Sequence, residues 1–463
     1  MITYAALAPH PPLLIPDIGG SRLKEVSPTV EGMKQLAQEV AKSSPECLVF
    51  FTPHGNVFGD CLSVLGERQL EGDLSSFGSR FKVRAANDLA LLQKIAQECL
   101  DRDIALVILD RDIAENNRLN PDLDHGILVP YYYLIEAGLG DIPVVAISIG
   151  FLSELELYQF GQTIQKAAAQ AGRRVAILAS GDMSHRLKDE GPYDFHPDGP
   201  VFDRTIQGLL AAADFNGLFQ LGGELRTNAG ECGFRSILIM AGCLDGLDVQ
   251  PRVFSYEGPF GVGYLTAGFK PQGAAPSLLA QLEDAEHKRL QEEKEQASLP
   301  AKWARLVLEQ YLQDQTVPQL PPEWQELKKH QAGAFVSLKK NGQLRGCIGT
   351  IQPVYENLAE EIAANAISAG TRDPRFMPVS QGEMDSLSYS VDILGEAEPC
   401  RRQDLDPKRY GVIVTSGQRR GLLLPDLEGV DTVEQQLTIA LQKAGIKANE
   451  PYAIERFEVK RYR

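Results

Sequence analysis

Ala179-Ser180-Gly181-Asp182-Met183-Ser184-His185 follows an apolar run, Arg174-Val-Ala-Ile-Leu178, of the kind a buried strand shows. A Gly-Asp-x-Ser-His segment in that position marks the turn where the strand ends. Ligands of open α/β sheets gather outside the carboxyl ends of the strands, so that turn is a place for a site. Two further histidines are delivered in the same way. Ile2-Thr-Tyr-Ala-Ala-Leu-Ala8 runs into Pro9-His10, and Cys47-Leu-Val-Phe-Phe51 runs into Thr52-Pro53-His54. Three strand-end histidines in one half of the chain predict a shared metal site.

Around these segments strands and helices alternate. Helices are expected over 21–42, 88–101 and 153–171, and from Pro130 to about residue 137. Strands are expected over 62–65, 80–83, 105–109 and 144–149. Helices over 201–213 and 215–221 follow, then strands over 253–256 and 264–269 close this half. The alternation predicts an α/β fold, a mostly parallel sheet flanked by helices. Its domain should occupy residues 1–270. Residues 271–296 hold Glu283-Asp-Ala-Glu-His-Lys-Arg-Leu-Gln-Glu-Glu-Lys-Glu295, a charge-rich run expected to be a solvated helix or tether. A smaller α+β domain should fill 297–463, with helices over 301–313, 354–368 and 432–444 and strands over 334–338, 387–394, 411–415, 420–424 and 452–459.

A chain of 463 residues suits two domains rather than one core. A formal net charge of −16 argues against general nucleic-acid binding, which needs a basic footprint. Seven cysteines without close pairing read as reduced thiols. The amino terminus has no basic n-region and is broken by Pro9, Pro11, Pro12 and Pro16, and no apolar run reaches the ~20 residues of a membrane span. The expectation is a cytoplasmic protein that engages no membrane.

Two histidines and one further ligand leave a metal with open positions for substrate and dioxygen. His10 and His54 form the best histidine pair. The third ligand is Glu231 or Cys232. They are adjacent, so one of them at most faces the metal in a regular element. Glutamate would complete a non-haem iron set and is slightly favoured on chemistry. Cysteine would make a softer site, suited to zinc, copper or a redox-sensitive iron. His185 is then expected to move protons, with Asp182 orienting its ring or favouring its charged form. His125, after Asp124, would hydrogen-bond a substrate oxygen. Iron(II) is the expected cofactor, zinc or copper the alternatives, and the substrate a small molecule with adjacent oxygens.

Ala8-Pro-His10-Pro-Pro, Thr52-Pro-His54-Gly, Asp124-His125-Gly126 with Val129-Pro130, Gly181-Asp182-x-Ser-His185 and Glu231-Cys232-Gly233 together resemble the LigB-type (class III) extradiol dioxygenases and the related Memo family. The resemblance implies His10 and His54 as iron ligands, His185 as catalytic base and His125 on the substrate side. At the third ligand the dioxygenases carry glutamate, whereas Memo-like proteins carry a cysteine before glycine, as in Cys232-Gly233.

Leu344-Arg-Gly-Cys-Ile-Gly-Thr350, Thr371-Arg-Asp-Pro-Arg-Phe376 and Leu422-Leu-Leu-Pro425 resemble the AMMECR-type domain. Arg345, Arg372 and Arg375 could offer planar donors to a carboxylate or phosphate, with Asp373 pairing one of them, and Cys347 reads as a packed thiol. Memo-like and AMMECR-like proteins accompany a radical S-adenosylmethionine protein in a three-part system. That resemblance implies such an enzyme as a partner, since no Cys-x3-Cys-x2-Cys cluster motif occurs here.

Overall fold

The computed structural model describes residues 1–340, 343–427 and 429–463. The chain divides into two compact units, Met1–Glu286 and His287–Arg463.

The first unit holds ten strands: β1 (Ile2–Ala8), β2 (Cys47–Thr52), β3 (Leu62–Leu65), β4 (Gln69–Asp73), β5 (Lys82–Ala86), β6 (Leu106–Leu109), β7 (Val144–Ser148), β8 (Val175–Ser180), β9 (Leu247–Glu257) and β10 (Tyr264–Ala274). Eight of them form one sheet in the order β6-β3-β7-β2-β8-β1-β10-β9, and β4 and β5 make a separate hairpin. The centre, β7-β2-β8-β1, is parallel, as expected. The antiparallel pairs β3/β7, β1/β10 and β9/β10 make the whole sheet mixed.

The central strands read as unbroken apolar runs because helices cover both faces. Val49, Phe51, Val145, Ile147, Val175 and Ile177 join one core with helices Leu89–Asp101, Glu154–Gln170 and Phe234–Cys243. Their neighbours Leu48, Phe50, Val144, Ala146, Ala176 and Leu178 join a second core with helices Ser27–Lys42 and His125–Leu134. Each fully buried leucine, isoleucine or phenylalanine adds about 1.5–3 kcal/mol. A one-residue slip would exchange the two faces, so the register that aligns the strand ends is strongly held.

Three differences from expectation have physical causes. The helix expected from residue 21 is 3-10 over Gly20–Val26 and becomes α-helical only at Ser27, after a non-helical Val26, with Pro28 in the first turn where its missing N–H leaves no bond unmade. The strand expected to end at Leu178 runs on to Ser180, held by pairing with Ala8. The helix expected from Pro130 begins at His125, because the Asp124 side chain caps it by accepting from Gly126 N. The hairpin strand β4 was not expected.

Residues 271–274 extend β10, and the charged run lies in an 18-residue helix, Leu279–Gln296, within which the two compact units divide. No helix of the described residues is long and apolar enough to cross a membrane. The second unit is α+β. Its strands run Gln343–Gly349, Ala334–Lys340, Leu387–Leu394, Ala453–Tyr462, Tyr410–Ser416 and Arg419–Leu423 across the sheet, all antiparallel to their neighbours. Helices Leu299–Asp314 and Leu358–Thr371 supply its main core with Trp303, Val307, Ile362 and Ala366.

Candidate metal centre

β2, β8 and β1 are neighbours in the sheet, and Phe51 lies opposite Ala179 as Ala8 lies opposite Ser180. Parallel neighbours are about 4.8 Å apart. The segments leaving their carboxyl ends therefore start side by side, which brings His10 and His54 together across 44 residues of chain. Their Nε2 atoms are 2.9 Å apart. Cys232 Sγ lies 3.7 Å from His10 Nε2, and the donor atoms of His10, His54 and Cys232 all fall within 4.8 Å of one another.

Each ligand is held by its own local structure. His10 is buried; its backbone N–H donates to Asp182 Oδ1 at 3.0 Å, and its Nδ1 is 2.9 Å from Ser180 Oγ. The direction of that last bond is set by a proline. Pro130 lies inside helix His125–Leu134 and has no N–H to give the carbonyl four residues back. The freed Gly126 carbonyl accepts the Ser180 hydroxyl instead. Ser180 Oγ, its proton spent, accepts from His10 Nδ1–H. His10 is thereby fixed as the tautomer whose Nε2 lone pair faces the centre.

His54 is set by Thr52 Oγ1, which accepts from His54 N at 3.1 Å and donates to Asp124 Oδ1 at 2.7 Å. Cys232 arrives on a loop pressed against the end of β8. Its N–H and that of Gly233 point to the Asp182 carbonyl, while Asp182 N–H donates to Cys232 Sγ at 3.3 Å. The contact needs glycine on both sides: a Cβ on Gly181 would lie 2.1 Å from Gly233 Cα. The Gly-Asp-x-Ser-His and Cys-Gly motifs are two halves of one joint.

Burial pushes the pKa values of His10, His54, His125 and His185 down, and the neighbouring rings push those of His10, His54 and His185 further. All four rings are neutral at pH 7 and have a lone pair for a cation or a proton. His125 stands beside the pair, its ring centroid 4.4 Å from that of His54 and 5.4 Å from that of Phe77. Its ring is not among the three converging donors. His185 carries a buried Nε2 without a hydrogen-bond partner and stacks under Tyr193, with ring centroids 6.0 Å apart. Burial, then the charge His54 could carry, lowers its pKa to about 4. An orphaned ring nitrogen of this kind belongs with a ligand.

Two expectations need correction. Glu231, slightly favoured as third ligand, turns away: its Oε2 accepts from Phe234 N at 2.7 Å, at the start of helix Phe234–Cys243, with Arg235 and Arg226 near enough to act on its charge. The thiol faces the histidines because consecutive side chains diverge. Asp182 does not orient His185. Its carboxylate binds the His10 backbone and lies 3.8 Å from His10 Nε2, and burial raises its pKa to about 7.

The site opens into a cleft of about 760 Å³ lined by His54, His125, Phe77, Asn120 and the β4–β5 hairpin. On the hairpin, Glu71 faces Arg84 and Asp73 faces Lys82 across the strands. Ser180, Thr52, Phe77 and Tyr193 were missed by sequence reasoning. For the first two a signal existed, a hydroxyl at the last position of an apolar strand.

The donor set fits a metal. At metal–nitrogen bonds of about 2.1 Å, two ligands at a right angle lie about 3.0 Å apart; a thiolate at about 2.3 Å and tetrahedral angle lies about 3.6 Å from a nitrogen. Residues 4–267 match the family model described as the catalytic LigB subunit of aromatic ring-opening dioxygenase. The chain belongs to the LigB family. Residues 301–463 of this LigB protein match AMMECR1, so it is a fusion of the two domains. It is 39% identical to Protein CA_C1420 of Clostridium acetobutylicum over 99% of this chain and 98% of that one. A Thermotoga maritima protein is 54% identical over 35% of this chain and 95% of its own. Among solved structures, uncharacterized protein PH0010 from Pyrococcus horikoshii is 30% identical over 36% of this chain and 91% of its own, with a TM-score of 0.34. Uncharacterized protein JW3007 from Escherichia coli K12 is 16% identical over 57% and 99%, with a TM-score of 0.40.

In the AMMECR1 domain Asp373 pairs Arg375, the alternative expected for it, and Arg345 is likewise engaged internally. Asp373 accepts from Cys347 N at 2.8 Å and Arg375 Nη2 donates to Cys347 O at 3.1 Å, closing the outer edge of strand Gln343–Gly349 as a neighbouring strand would. Arg345 clasps Glu383 through Nε and Nη2 at 3.0 and 3.1 Å.

Proposed function

We propose that this LigB-family protein is a metal-dependent oxidoreductase of the cytoplasm acting on a small molecule with adjacent oxygens, with iron(II) as its metal and zinc or copper as competitors. The observation that carries the reading is the convergence of His10, His54 and Cys232 beside the unpartnered Nε2 of His185. Three protein ligands leave coordination open, and a metal there supplies Lewis acidity and, as iron or copper, a route for electrons. The protein's own groups do the rest. His185, neutral at working pH, accepts a proton from a substrate hydroxyl at Nε2. His125 hydrogen-bonds the second oxygen. Phe77 lines the cleft and Tyr193 covers one face of the His185 ring.

Cys232 favours a second reading. A thiolate replaces the carboxylate of the iron dioxygenases, which suits a redox or assembly protein that holds metal and works with a radical S-adenosylmethionine enzyme, and the AMMECR1 fusion agrees with it. The test is anaerobic loading with iron(II), zinc(II) or copper(I) separately, followed by oxygen uptake with catechols and other vicinal diols. Uptake that depends on diol and metal, and is lost in His185→Gln, supports the first reading. Tight one-to-one metal binding with no uptake supports the second, and no metal binding overturns both.

A further inference from the structure

The cleft beside His54 and His125 has a polar wall. Val83 and Leu123 belong to the core behind it, and among the described residues that line it Phe77, 44% exposed, is the one apolar side chain that offers a face. Pockets for largely apolar ligands are lined mainly by apolar and aromatic groups. The charges at this wall are matched. Arg84 gives both Nε and Nη2 to Glu71 Oε1, Lys82 Nζ lies 3.7 Å from Asp73 Oδ2, and Arg111 Nη2 donates to Asp122 Oδ1 at 3.0 Å. Asp124 is turned into the floor, where Thr52 Oγ1 and Gly126 N donate to it. The wall therefore exerts little net field on a ligand. What it has left over is hydrogen-bonding atoms of both kinds. Glu71 Oε2 and Asp122 Oδ2 can accept, Asn120 Nδ2 can donate and Ser76 Oγ can do either, and none of the four has a partner among the described residues.

We propose that the cleft takes a neutral sugar, a non-aromatic molecule rich in hydroxyls, as the molecule with adjacent oxygens; the assignment rests on the metal-dependent reading of this same site. A hydroxyl both donates and accepts, so one kind of ligand group serves the carboxylate oxygens and the amide alike. The C–H face of the sugar ring lies against Phe77, and two adjacent hydroxyls point to the His54 and His125 end of the cleft. A volume of about 760 Å³ has room for a sugar ring and the group it is attached to, where a lone catechol would leave most of the wall unused. A sugar acid or an amino sugar would set an unpaired charge against a wall whose own charges are already matched.

Calorimetric titration of the metal-free full-length chain with methyl glucoside, galactoside, mannoside and ribofuranoside tests the wall by itself. At least one glycoside should bind with a Kd of about 1 mM, more tightly than catechol, gluconate or glucosamine. Ser76→Ala should raise that Kd about threefold and Phe77→Ala about tenfold. No glycoside binding below about 20 mM, catechol or a charged sugar binding as tightly as the best glycoside, or a Kd indifferent to both substitutions overturns the proposal. Zinc loading of the same preparation keeps the two readings apart: zinc uptake without glycoside binding sinks the sugar assignment alone, and glycoside binding without zinc uptake sinks the metal reading alone.

Discussion

Ser180→Ala should weaken metal binding without touching a ligand. The hydroxyl lies in a relay that begins at Pro130, passes through the Gly126 carbonyl and ends on His10 Nδ1. Alanine leaves that carbonyl and the Nδ1–H without partners in a site where Ser180 is fully buried. An orphaned buried polar group costs about 1–3 kcal/mol of folding stability. With the tautomer no longer fixed, loss of such an outer partner lowers metal affinity about 10–100-fold, or ~1.4–2.7 kcal/mol. Competition against a chromophoric chelator gives the affinity, and thermal melts of the metal-free protein give the stability. A variant whose metal affinity stays within about twofold of the parent would refute the relay.

Cys232→Ala should abolish stoichiometric metal binding, whereas Glu231→Gln, which keeps an oxygen for Phe234 N, should retain it; metal content after dialysis separates the two. Gly181→Ala should cost several kcal/mol, because its Cβ meets the Gly233 backbone, and should release metal as the Cys232 loop is pushed off, read from melts and metal content. Pro130→Ala supplies an N–H that competes for the Gly126 carbonyl, so metal affinity should fall in the same direction as in Ser180→Ala and by less, measured with the same chelator. Asp203 is buried, accepts from Ser184 N and Tyr256 OH, and has its pKa raised from 3.8 to about 7 by burial. The native state holds that proton where the unfolded chain has lost it, so the contribution is complete below pH 3.8 and declines as pH rises to about 7. Asp203→Asn should flatten the fall in melting temperature over that interval, and an unchanged pH slope would count against the assignment.

The sheet's centre was legible because its strands are buried on both faces, and burial on both faces leaves a plain mark: Cys47–Phe51 and Val144–Ile147 have no polar residue to confuse the period. The histidines were legible for a related reason, each standing just after such a run. Asp182, Glu231 and Ser180 were misread or missed because their roles depend on direction. Sequence places Asp182 three residues from His185, but the turn points its carboxylate back at His10, 172 residues away. Whether Glu231 or Cys232 faces the metal is decided by one helix start at Phe234, which takes the carboxylate as its cap. In the AMMECR1 domain the pairing of Asp373 with an arginine was legible from their closeness in sequence, but that Asp373 and Arg375 together bond the edge of strand Gln343–Gly349 was not, because the strand had been read only as a motif.

X-ray absorption at the metal edge of loaded protein tests the central claim most directly. A first shell with one sulfur at about 2.3 Å and two nitrogen scatterers at about 2.0–2.1 Å is the predicted result. A shell of nitrogen and oxygen alone, with no sulfur, would contradict it.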